Sequence, residues 1–102
     1  MKVIIRESRL MDLAVKFVNN KFPDLIEEPS QSNNSVSYIN PINNTHVFVY
    51  DEEDGSVMFY GDIFSALNNM FGMSEKEVKQ VLREWLYTYY GFNTSRVLLF
   101  LK

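Results

Sequence analysis

Apolar and polar positions along the chain change their spacing several times, and each change marks an element. Val3, Ile4 and Ile5 form a short β-prone run that predicts an edge strand. From Ser8 onward the spacing turns helical. Leu10, Leu13, Ala14, Phe17 and Val18 share one face, while Arg9, Asp12, Lys16 and Asn19 fall on the other. Ser8 is the expected cap of this helix, and Pro23 pushes Phe22 out of the helical region, ending the segment near Lys21.

Residues 24–35 combine acidic and small polar side chains with Pro29 and a Ser-Gln-Ser-Asn-Asn tract, which predicts the longest and most mobile loop. Three strands are predicted next, at Val36 to Asn40, Thr45 to Asp51 and Ser56 to Tyr60. The connections Pro41-Ile42-Asn43-Asn44 and Glu52-Glu53-Asp54-Gly55 are turn sequences, so the three strands read as an antiparallel meander. Strand alternation suggests Val47, Val49, Val57 and Phe59 on one face and Phe48, Tyr50, Met58 and Tyr60 on the other.

Asp62 opens a short helix closed by Gly72. Ser74 and Glu77 then form a capping box, with Met73 and Val78 at the hydrophobic-staple positions, and the helix runs to about Tyr90 before Gly91. Its apolar stripe is Val78, Val81, Leu82, Trp85 and Tyr89, whereas Arg83, Tyr87 and Tyr90 lie off it. Arg96 to Leu101 is apolar on both faces, as for a strand covered on two sides. The order β-α-βββ-αα-β gives an α+β fold with a small, mainly antiparallel sheet and helices packed on it, in a single domain over residues 1–102.

Composition supports a packed core, since 46% of the 102 residues are hydrophobic and 15% aromatic. With no cysteine, disulfides, thiol nucleophiles and cysteine-ligated zinc are excluded. The first ten residues mix charges with a three-residue apolar run, unlike a signal peptide, and no stretch reaches transmembrane length, so a cytoplasmic location is expected. The net charge of −3 is unevenly spread: the sums are +3 over residues 1–21, −8 over 22–62 and +2 over 63–102. The middle third is thus an acidic stretch between two mildly basic ones.

Few residues offer chemistry. The turn Asp51-Glu52-Glu53-Asp54-Gly55 resembles a calcium loop only superficially. Aligned on its glycine, the loop has Tyr50 at the first ligand position and Gly61 at the last, so it reads as a solvated hairpin turn. His46, the single histidine, has no second imidazole or thiol nearby and is expected as a partly buried sheet residue beside Phe48 and Tyr50. No phosphate loop, nucleophile elbow or paired catalytic carboxylates are present. No metal, cofactor or catalytic residue is therefore expected. Arg6, Arg9, Lys16 and Lys21 make the first helix basic, but the chain as a whole is acidic, so nucleic acid is not the favoured partner.

What stands out is aromatic. Neither face of the predicted sheet is clearly polar, and Tyr, Trp, Met and Arg are enriched at interface centres. Two candidate contact sets follow: Phe48, Tyr50, Met58 and Tyr60 on the sheet, and Arg83, Tyr87 and Tyr90 on the long helix. The opening Ile4-Ile5-Arg6-Glu7-Ser8-Arg9-Leu10, and Met70-Phe71-Gly72-Met73-Ser74-Glu75-Lys76-Glu77 leading to Glu84-Trp85, resemble small proteins of large tailed bacteriophages and marine viral sequence. That resemblance implies a viral origin and carries no activity, cofactor or site residue with it. The resulting expectation is a non-catalytic protein-binding or assembly module that self-associates as a symmetric dimer or binds another protein. A nucleic-acid-associated regulator using the basic helix is the alternative, with a small enzyme of dispersed site residues third.

Overall fold

The computed structural model describes residues 7–29 and 34–100. Among them the order is α1 (Glu7–Lys21), β1 (Ile26–Pro29), β2 (Ser35–Asn40), β3 (Thr45–Asp51), β4 (Ser56–Tyr60), α2 (Ile63–Phe71), α3 (Glu75–Tyr90) and β5 (Arg96–Phe100). The five strands form one sheet in sequential order. β1 to β4 pair antiparallel, and β5 returns through α2 and α3 to lie parallel to β4. This is the expected α+β architecture with a mainly antiparallel sheet.

Several local expectations need correction. The Val3-Ile4-Ile5 strand lies outside the described residues. The helix already includes Glu7, so Ser8 sits inside α1 rather than at its cap. Within the segment read as a continuous loop, Ile26–Pro29 is a strand paired with Val36–Ile39. A proline fits there because β1 is the edge strand, where one side needs no ladder donor.

The helix boundaries follow the capping chemistry. Ser74 Oγ accepts from Glu77 N at 3.3 Å, and Ser74 N donates to Glu77 Oε1 at 3.0 Å, completing the capping box. Gly91 ends α3 at φ 72°, its N–H donating to the Tyr87 carbonyl at 3.1 Å while the Phe92 N–H reaches the Leu86 carbonyl at 3.2 Å. A left-handed residue there strongly favours glycine.

The core lies on the helical side of the sheet. Val78, Val81, Leu82, Trp85 and Leu86 of α3 are fully buried. The Trp85 ring meets Phe48 edge-on at 5.7 Å and lies 6.1 Å from Phe59. Its Nε1–H donates to Asn19 Oδ1 at 3.2 Å, which ties α1 to α3. Ala14, Val15 and Val18 complete the α1 contribution, and Ile63 and Leu67 that of α2. An indole buried with its N–H paired keeps the packing without an orphaned donor.

Candidate protein-contact surface

Strand register decides which residues can reach a partner. Phe48 pairs with Phe59, Val49 with Met58 and Tyr50 with Val57. Paired residues share a face, so even positions on β3 go with odd positions on β4. The expected sheet set therefore splits. Phe48 and Tyr50 face the helices with Val57 and Phe59, while Met58 and Tyr60 lie on the opposite face with Val49.

On the helical side Phe48 is fully buried, and Tyr50 stacks on Phe92 at 4.4 Å with ring planes 4° apart. Tyr90 joins the same aromatic cluster. Its ring lies 5.1 Å from Tyr38, 5.6 Å from Phe48 and 5.1 Å from Trp85. Burial raises its phenol pKa above the ordinary value. The helix set thus loses Tyr90 to the core. Tyr89, read from sequence as core, is instead 46% exposed. Asn19 and Phe22 meet α3 at Trp85, so α1 ends there and leaves Tyr89, one turn on, without a neighbouring helix.

Tyr87 is 62% exposed as expected. Arg83 is exposed too, and its Nη2 donates to the Ser95 carbonyl at 3.4 Å. These two share a side of α3, but the remaining exposed large apolar residues (Leu13, Ile26, Ile42, Met70) are spread over other elements. Scattered apolar residues of this kind are ordinary surface.

His46 is exposed, against expectation. The ladder pairs Tyr38 with Phe48 but Ile39 with His46, so Val47 is the extra residue of a bulge. The bulge breaks the alternation that would have set His46 beside Phe48 and Tyr50. The acidic turn is an internally bonded hairpin end. Asp51 Oδ1 accepts from Glu53 N, Asp54 Oδ1 from Ser56 N, and Asn34 Nδ2 donates to Glu53 Oε2. Ser95 clasps it from the β5 side through Gly55 O and Asp54 O. Among the described residues no group of three or more His, Cys, Asp or Glu is placed to hold a metal. No described helix is long and apolar enough to cross a membrane.

The sheet face turned away from the helices is built from alternate strand positions. Across β2 to β5, Ser37, Val49, Met58 and Leu98 form one row, and Ser35, Asp51, Ser56 and Arg96 the next. Together with Tyr60 most of these side chains line one shallow depression. Val49, Met58 and Leu98 are half-buried and lie outside the core cluster. The sequence predicts cover on both sides of β5. Val97 is buried on the helical side, but no described helix or strand lies over Leu98. The parity that buries Phe48 is what brings Leu98 to Met58, and neither signal is visible without the register.

No protein-family model, curated protein or solved structure matches the chain.

Proposed function

We propose that the protein is a non-catalytic assembly module acting by protein contact, with the sheet face opposite the described helices as its contact surface and a second copy as the occupant. The observation that carries this reading is the apolar row Val49–Met58–Leu98, flanked by the small side chains of Ser35, Ser37 and Ser56. Two-layer domains cover one sheet face with helices and can leave the other wet, but a wet face is normally polar. Here its centre is apolar and its rim polar, the composition of an interface. A face-to-face pairing of two such sheets is an ordinary packing solution, and a two-fold dimer is the commonest assembly of one gene product. The viral resemblance of the sequence fits a small accessory protein of that kind, working in the host cytoplasm.

The test is light scattering on the wild type and on Met58→Glu. The wild type should form a concentration-dependent dimer and the variant a monomer of about 12 kDa, with unchanged circular dichroism. Dimerisation that Met58→Glu leaves intact would place the contact elsewhere on the molecule.

A further inference from the structure

From the charge pattern of this face we infer that two copies pack sheet against sheet about a two-fold axis running along β4, with Asp51 of each opposite Arg96 of the other. The inference rests on the assembly reading above and adds the arrangement to it. β4 lies between β3 and β5, and the row through Ser56 carries Asp51 on one side and Arg96 on the other. Rotation by 180° about an axis along β4, lying between the two sheets, exchanges the β3 and β5 sides. It sets Met58 over its own copy, Val49 over Leu98 of the second copy, and Asp51 over Arg96 of the second copy. The face is therefore complementary to itself in charge as well as in shape class.

The competing two-fold, across the strands through Met58, stacks Val49 on Val49 and Leu98 on Leu98. It moves the Asp51–Arg96 row to the far end of the opposing sheet and leaves both charges unmatched. The charges thus select the strand-parallel axis. Reach agrees, because packed sheets sit roughly 10 Å apart, a gap that an arginine and an aspartate side chain span together. Arg96 is exposed, and its side chain makes no ion pair or hydrogen bond among the described residues. Asp54 in the same protomer feels its charge at a distance, but that carboxylate is held low chiefly by its hydrogen bonds with Ser56. Asp51 uses Oδ1 for the Glu53 N–H, and no hydrogen bond among the described residues engages its Oδ2.

About this axis β3, β4 and β5 of the two copies overlap while β1 and β2 overhang, so the contact covers roughly 14 by 17 Å, about 240 Å² in plan, from strand spacing and rise. That places the contact among weak, transient interfaces. Charge matching then matters for register more than for affinity.

A mixing experiment tests the arrangement. Arg96→Glu places acidic groups at both positions, and Asp51→Lys places basic groups at both. Each variant alone should dimerise at least tenfold more weakly than the wild type at low salt in sedimentation equilibrium. An equimolar mixture should recover association. In the mixed dimer the lysine introduced at position 51 meets the glutamate introduced at position 96, and the remaining Asp51 meets the remaining Arg96. Asp51→Asn, which keeps an acceptor for Glu53 N, controls for turn integrity and should unfold at the wild-type urea concentration. Recovery on mixing, absent at 0.5 M salt, supports the axis. A dimer that Met58→Glu abolishes but whose charge variants fail to recover on mixing overturns the axis and leaves the contact face standing. A wild type that stays monomeric overturns both.

Discussion

Trp85 concentrates the energetics of the fold, and its hydrogen bond offers a sharper test than its deletion. The side chain is fully buried, touches Phe22, Phe48, Phe59 and Tyr90, and its N–H reaches Asn19 Oδ1 at 3.2 Å. Trp85→Ala removes packing from all four rings and should cost about 3–5 kcal/mol. A domain of this size has only about 5–15 kcal/mol in total, so that variant is only marginally folded and reports little. Asn19→Ala keeps the ring and strands its buried donor, which costs about 1–3 kcal/mol. Urea denaturation followed by circular dichroism measures the difference as a lower midpoint at constant slope. Trp85 is the single tryptophan, so its fluorescence reports the same site without ambiguity. An Asn19→Ala variant within about 0.5 kcal/mol of the wild type would refute the pairing of α1 with α3 through this bond. So would native emission typical of an indole in water.

Ser74→Ala breaks the capping box and should lower stability by about 1 kcal/mol in the same assay. Glu77 accepts the Ser74 N–H, which holds its carboxyl below the ordinary range. Its contribution is therefore complete above the unfolded pKa and is lost as pH falls through the lowered folded one, a loss that Glu77→Ala should remove from the acid-denaturation profile. Tyr38 is pushed up to about 12, first by burial and then by donating to Glu27, so its contribution is complete below the ordinary tyrosine pKa and fades as pH rises towards 12. Ultraviolet titration should show a tyrosinate forming towards pH 12 that Tyr38→Phe eliminates, with the raised Tyr90 phenol left in place. Gly91→Ala forces a side chain into a left-handed φ of 72° and should cost about 1 kcal/mol, read as a shift of the urea midpoint.

Fold class is legible in the sequence because it rests on local signals. The 3.6-residue spacing on α1 and α3, the capping box at Ser74 and the turn residues between β2, β3 and β4 each act within a few residues, and the elements they mark are present, although Leu13 and Tyr89, read onto the apolar faces, are exposed. The contact surface is legible only in part, because register is non-local. Alternation along β3 alone cannot say whether Phe48 shares a face with Phe59 or with Met58. The hairpin pairing, odd positions to even, settles that and sends Phe48 to the core. The bulge at Val47 likewise has no clear local signature, so simple alternation misplaces His46. Tyr90 looks peripheral by helical angle, yet the sheet beneath the last turn of α3 carries Tyr38 and Phe48, which draw it inward. β1 is hidden because its two glutamates and proline resemble loop composition and suit an edge strand equally well.

The central claim, that the sheet face opposite the described helices is the contact surface between copies, is tested most directly by amide chemical shifts across a dilution series. Two-dimensional ¹H–¹⁵N spectra of the wild type, from millimolar to tens of micromolar, report every backbone position at once. Concentration-dependent shifts should centre on Val49, Asp51, Ser56, Met58 and Leu98, with Met70, Tyr87 and Tyr89 unmoved. Shifts confined to the exposed residues of α2 and α3, or none at all over that range, would contradict the claim.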